Sequence, residues 1–145
     1  MPLHMIKLCV GADSVEDLGS WIDERRRLAE AQGEAFEQRH QTRMFPKRAD
    51  EIVNGGSLYW VIKGQVQVRQ KILALRPVVD AEGISRCHIV LDPRLVATRW
   101  QPRRAFQGWR YLDAADAPPD AGEGEEGMMS LPVHLRRELS DLGLL

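Results

Sequence analysis

Apolar and polar residues alternate loosely from Leu3 to Val10, the period-two pattern of a strand. Gly11 to Asp13 turns the chain. Ser14 and Asp17 then stand at capping-box spacing, with Asp in place of the usual Glu. Val15, Leu18, Ile22 and Leu28 follow at helical intervals, and Trp21 broadens their face. A helix from Val15 to Gln32 is predicted, with Gly33 as its stop. His40 to Phe45 reads as a short strand. Pro46 suits the start of a helix, where its missing N–H costs nothing, and the helix Lys47 to Val53 ends at Asn54-Gly55-Gly56. Ser57 to Lys63 reads as a buried strand, with a hairpin at Gly64 leading into an alternating strand from Gln65 to Leu75, a stretch for which a helix is the competing reading. Asp80 to Gly83 is a turn, and Ile84 to Leu91 and Leu95 to Trp100 are further strands. Ala105 to Leu112 is extended or irregular around Gly108.

This order predicts an α+β protein. A mostly antiparallel sheet or a small β-barrel is expected, with an N-terminal amphipathic helix. The domain is expected over residues 1–112. Residues 113–127 form an acidic linker rich in Pro and Gly, with no apolar side chain larger than Ala. Residues 128–145 form a tail in which Pro132 to Leu142 presents Leu135, Leu139 and Leu142 on one helical face.

Composition changes little in this picture. The 145 residues are 43% apolar and 28% charged, ordinary for one globular domain. No apolar run approaches the ~20 residues of a membrane span, and the N-terminus lacks the pattern of a signal peptide. The expectation is a cytoplasmic protein, with Cys9 and Cys87 as free thiols.

Charge changes it more. The net charge of −1 hides a division along the chain. Residues 1–38 carry four Lys/Arg against eight Asp/Glu. Residues 39–112 carry fourteen against five, and residues 113–145 carry two against eight. A middle segment at +9 is a candidate polyanion surface, unless the acidic flanks fold against it.

No catalytic signature emerges. Gly122, Gly124 and Gly127 match a dinucleotide fingerprint in letters only, since three glutamates fill it and no strand precedes it. His4, His40, His88 and His134 have no metal-ligand spacing, and the neighbours Cys87 and His88 point to opposite faces of a strand. Ser57 follows two glycines but has no assignable base, and Asp50-Glu51 read as a solvated helix face. No cofactor or metal is expected.

The informative constellation is basic residues interleaved with aromatics. Arg43, Lys47 and Arg48 surround Phe45. Lys63 follows Tyr59 and Trp60. Arg103 and Arg104 precede Phe106, and Trp109-Arg110-Tyr111 follows. Such mixtures suit nucleic acid, because cations meet phosphates and rings stack on unpaired bases. Eleven of the fourteen middle cations are Arg, whose planar fork pairs with phosphate. Arg43, Lys47, Arg48, Lys63, Arg103, Arg104 and Arg110 are the expected phosphate contacts, and Trp109 is the expected stacking ring.

Four segments carry a family resemblance. They are Pro2 to Gly11, Thr42-Arg43-Met44-Phe45-Pro46-Lys47-Arg48-Ala49-Asp50-Glu51, Gly55 to Gly64, and Pro102 to Leu112. Over residues 1–119 the chain resembles a bacterial family catalogued as domain of unknown function 1489. The resemblance implies a small soluble bacterial protein and no particular activity. The order from Thr42 to Gly56 and into the following strands is also similar to the opening of PUA-like and ASCH-like domains, small β-barrels that often bind RNA or modified bases. The Gly-x-Lys core of the ASCH pattern is absent at Gly55-Gly56-Ser57, so no site residue is carried over.

The leading expectation is a non-catalytic module that binds RNA or another polyanion. One alternative is an enzyme or sensor for a small phosphorylated or carboxylated ligand, with Lys63 or His88 as acid or base. Another is an adaptor that recruits a protein partner through its C-terminal tail. No membrane partner is expected.

Overall fold

Strand β3 (Ser57–Ile62) is buried along its whole length, as its unbroken apolar run requires of a strand covered on both faces. The computed structural model describes residues 2–121 and arranges the rest around this strand. Strand β1 (Leu3–Leu8) pairs with β3 in parallel, Met5 opposite Leu58. The parallel step is possible because α1 (Val15–Ala31), β2 (Gln38–Thr42) and α2 (Ala49–Val53) intervene. Every other pairing is antiparallel. Strand β4 (Gln65–Val79) meets β3 through the hairpin at Lys63-Gly64. Both loop residues have left-handed backbones, φ 51° and 78°, as a tight two-residue hairpin requires.

Strand β4 runs four residues past its expected end at Leu75. Its first residues pair with both β3 and β6 (Val96–Pro102), and residues 72–79 pair with β5 (Ser85–Leu91). Pro77 is tolerated there because that half of the strand is paired with one strand only. Strand β7 (Trp109–Asp113) pairs with the outer edge of β1. The strand path is β2-β5-β4-β3-β1-β7, with β6 attached to β4.

The small β-barrel expectation is corrected here: the sheet is open, and its end strands β2 and β7 do not pair. Residues 119–121 occupy the second edge of β6. Arg99 N–H donates to Pro119 C=O and Ala121 N–H to Ala97 C=O, both at 2.9 Å. That edge is therefore unavailable to β7. The amphipathic helix is also not N-terminal, because strand β1 precedes it.

Helix α1 begins at Ser14, whose hydroxyl accepts from Asp17 N–H at 3.2 Å. The Asp17 carboxylate accepts from Asp13 N–H, one residue before the cap. Leu18 and Ile22 are buried, but Leu28 is 55% exposed. The inward stripe continues instead through Arg26 and Ala29, and the Arg26 guanidinium lies over the Phe36 ring at 5.4 Å.

Two apolar layers result. On one face Leu3, Met5, Leu58, Trp60 and Ile62 pack with Leu18, Ile22 and Ile52 of the helices. On the other, Ile6, Tyr59, Val61, Val66 and Leu112 pack with Phe106 and Ala117. Residues 114–121, expected as the start of a linker, turn back after Asp113 and lie along β6. The remainder of that linker, the glycines at 122, 124 and 127, and the expected helix Pro132 to Leu142 lie outside the described residues. Among the described residues, no helix is long and apolar enough to cross a membrane.

Gly56 is the tightest point. A Cβ there would strike the backbone oxygens of Leu3 and Ile52, neither of which can move without breaking β1 or α2. Gly56→Ala is expected to cost about 3 kcal/mol of unfolding free energy. Gly83→Ala, which meets no atom within 4 Å and has only its positive φ against it, should cost ~1 kcal/mol. Chemical denaturation of the two variants checks the contrast.

Candidate anion-binding groove

Beside Ile6, on the face away from the helices, β7 sets Arg110. The loop after β6 returns toward the same place. Arg103 N–H donates to Gly64 C=O at 2.9 Å and ties the loop to the β3–β4 hairpin. Gly108, at φ +68°, reverses it into β7. Between β6, this loop, β7 and residues 115–119 lies an open groove of about 1150 Å³. Arg99, Arg103, Arg104 and Arg110 line it, with Phe106, Trp100 and Tyr111. Among the described residues, Asp116 is its one acidic lining residue.

The groove's cations differ in how they are held. Arg110 lies over Phe106 at 5.5 Å from the ring centroid, and its Nη1 donates to Gln107 C=O at 3.1 Å. Its fork is oriented, and its charge is unpaired by any carboxylate among the described residues. Arg103 and Arg104 likewise have no ion-pair partner there. Uncompensated cations in an open groove keep their full field for an incoming anion.

A polar clasp closes one side. The Arg69 guanidinium on β4 holds Asp120 through both carboxylate oxygens, at 2.7 and 2.8 Å. Its Nη1 also donates to Ser57 Oγ at 3.0 Å. His4 Nδ1 accepts from Ser57 N–H at 2.9 Å, and the His4 ring meets Tyr59 edge-on. Burial, then the Arg69 charge, lowers the His4 pKa. The hydrogen bond from Arg69 holds Asp120 below its ordinary value. The Ser57 hydroxyl thus accepts from the Arg69 cation while its backbone N–H is held by His4. The clasp's work is to fix residues 114–121 across the sheet.

Of the sequence-predicted residues, Arg103, Arg104 and Arg110 come together in the groove. The others lie elsewhere. Arg48 is forked onto Glu51 at 2.7 and 2.9 Å and covers the Tyr111 ring. Helix α2 starts two residues later than expected, so Lys47 precedes it. Arg43 lines a separate notch with Phe45 and Pro77. Lys63 pairs with Asp13 at 2.7 Å. Trp109 is committed to packing: its indole N–H donates to Met44 C=O at 2.8 Å, and its ring meets Tyr111 at 4.9 Å. His88, the other candidate acid or base, contacts Gln41 at 3.1 Å. Arg99 was missed. Its only sequence signal was the density of arginines around it.

The described acids of the two flanks pair with part of the basic middle. Asp13, Glu37 and Asp120 take Lys63, Arg76 and Arg69. Among the described residues, arginines 103, 104 and 110 of the groove pair with none of them. Among the described residues no cluster of His, Cys, Asp or Glu could hold a metal ion. Cys9 and Cys87 are free and buried, and burial pushes both thiols up to about 11.

Fold and site together define a mixed α+β protein with one open sheet and an arginine-lined groove. The family model described as Protein of unknown function (DUF1489) matches residues 5–145, and the chain belongs to that family. The match takes in the C-terminal tail as well as the segments that carried the resemblance. Neither the curated proteins nor the solved structures gave a match.

The clasp is testable through pH. The Asp120 pKa is depressed on folding, so its contribution is full above its ordinary value of 3.8 and is lost as pH falls below it. Asp120→Asn should remove that dependence and cost about 1 kcal/mol or less, since the pair is partly exposed. Protection factors against hydrogen exchange at the Arg99 and Ala121 amides, taken relative to the intrinsic rate at each pH, should fall in the variant and, in the wild type, as pH drops below 3.8.

Proposed function

We propose that the protein binds a polyanion, single-stranded RNA, along the groove between β6 and β7. The observation that carries this reading is the convergence of Arg99, Arg103, Arg104 and Arg110 on one open channel beside Phe106 and Tyr111. Arginine forks meet phosphate oxygens in pairs, and a guanidinium laid over a ring, as Arg110 is over Phe106, is held in place for that contact. The groove is open along its length, which suits a strand better than an enclosed metabolite. The role is binding.

Arg103→Glu/Arg104→Glu tests the reading. Wild-type affinity for mixed RNA oligomers should fall with salt at a log–log slope of about −0.7 per phosphate neutralised. The double variant should bind about tenfold more weakly or worse, with a slope shallower by roughly 1.4. Lys47→Glu, outside the groove, should change affinity far less. An unchanged isotherm for the double variant overturns the assignment.

A further inference from the structure

A second cavity lies on the opposite, helix-covered face. It holds about 340 Å³ between the end of β1, helix α1 and strand β2. That is near the low end of ligand pockets, roughly 300–1,000 Å³, and fits a metabolite better than a polymer. Lys7 stands opposite Trp60 in the parallel register. It therefore leaves the sheet on the same face as Leu3 and Met5, toward the helix. Arg25 reaches the cavity from α1 and His40 from β2. Trp60 is the apolar floor, with the His40 ring edge-on at 5.2 Å, and Leu8 and Trp21 add to the walls.

The floor is rigid and internally satisfied. The Trp60 indole N–H donates to Gln70 Oε1 at 2.9 Å. Gln70 Nε2 donates to Gln38 Oε1 at 2.8 Å and to Asp92 C=O at 2.9 Å. None of these groups is left to neutralise a cation. Lys7 and Arg25 have no carboxylate within ion-pair distance among the described residues. Glu37 is taken by Arg76 and Arg39. Asp17 bears on Cys9 and caps the chain at Asp13. The charges that bear on His40 are Lys7 and Arg25, both positive. With burial as the larger cause, they lower the His40 pKa to about 4. Clustered cations around a half-buried cavity destabilise the empty protein. A bound anion would offset that cost.

We propose that this cavity binds a small organic anion, its carboxylate or phosphate group set among Lys7, Arg25 and His40 and its carbon skeleton against Trp60. The site is independent of the arginine groove, which lies on the other face. It differs from the small-ligand alternative considered from sequence, which assigned Lys63 or His88.

The test is NMR of the full chain with phenyl phosphate and benzoate as probes and benzyl alcohol as the neutral control. Either anion should give saturable shifts of the His40 ring and Trp60 indole signals. The His40 titration midpoint should rise from about 4 toward its ordinary 6.5 when the anion is bound. Lys7→Met should weaken binding about tenfold or more, with the Trp60 indole signal reporting an intact fold. Arg25→Gln, at an exposed helix position, should weaken it several-fold and serves if Lys7→Met misfolds. Arg103→Glu/Arg104→Glu should bind the probes as the wild type does. No saturable shift with either anion, equal shifts from benzyl alcohol, or loss of binding in the groove variant would each overturn the proposal.

Discussion

Backbone hydrogen bonding along β4 is the constraint on which the rest of the structure depends. A buried strand must satisfy every N–H and C=O on both edges. The buried first part of β4 does so with β3 and β6 on its two edges, while residues 72–79, of which only Ile72 is buried, pair with β5 alone. Strand β6 pairs with β4 along one edge and does not meet β7 along the other. Its outer edge still needs partners, and residues 119–121 supply them. The gap that remains between β6 and β7 is the groove. Failed closure and candidate site thus have one cause.

Side-chain direction on β4 and its neighbours does the rest. The period of two sends Arg69, Tyr59, His4 and Ile6 to one face. There Arg69 fixes Asp120 and sets the rim of the groove. The same alternation sends Lys7 to the other face with Met5 and Trp60, beneath helix α1. Each face therefore carries an apolar layer, and among the described residues each has a region where cations outnumber the acids that pair with them. The arginine groove is large and open. The Lys7–His40 cavity is smaller and lies against the helix. Their shapes argue for different occupants.

Much of this was legible in local pattern. The cap at Ser14, the stop at Asn54-Gly55-Gly56 and the hairpin at Gly64 are short-range signals, and each decides the backbone over a few residues. The apolar run in β3 announced burial before its partners were known. What pattern could not supply was which edges meet. The alternating pattern stops at Leu75, yet β4 continues through Pro77 because it has one strand beside it there. Residues 114–121 lack large apolar side chains and read as a linker, yet backbone bonds and one arginine order them. Trp109 reads as a stacking ring between Gly108 and Arg110. The β1–β7 register instead places it over the core, with Met44 C=O as its hydrogen-bond partner. Arg103, Arg104 and Arg110 were legible as a dense basic stretch, but their convergence depends on the loop being tied to Gly64. Lys7 was legible in principle, since alternation aligns it with Leu3 and Met5. A charge at an inward position is the signal that was passed over.

The central claim is one of place: the polyanion surface is the gap left by the unclosed sheet, not the basic middle of the chain at large. Amide chemical-shift mapping of the wild-type protein with a short mixed RNA oligomer at low salt tests it most directly. The account predicts perturbations concentrated in residues 99–106, at Arg110 and Tyr111, and in 115–117, fading together as salt is raised. Perturbations centred on Arg43, Lys47 and Arg48, or none at low salt, would contradict it.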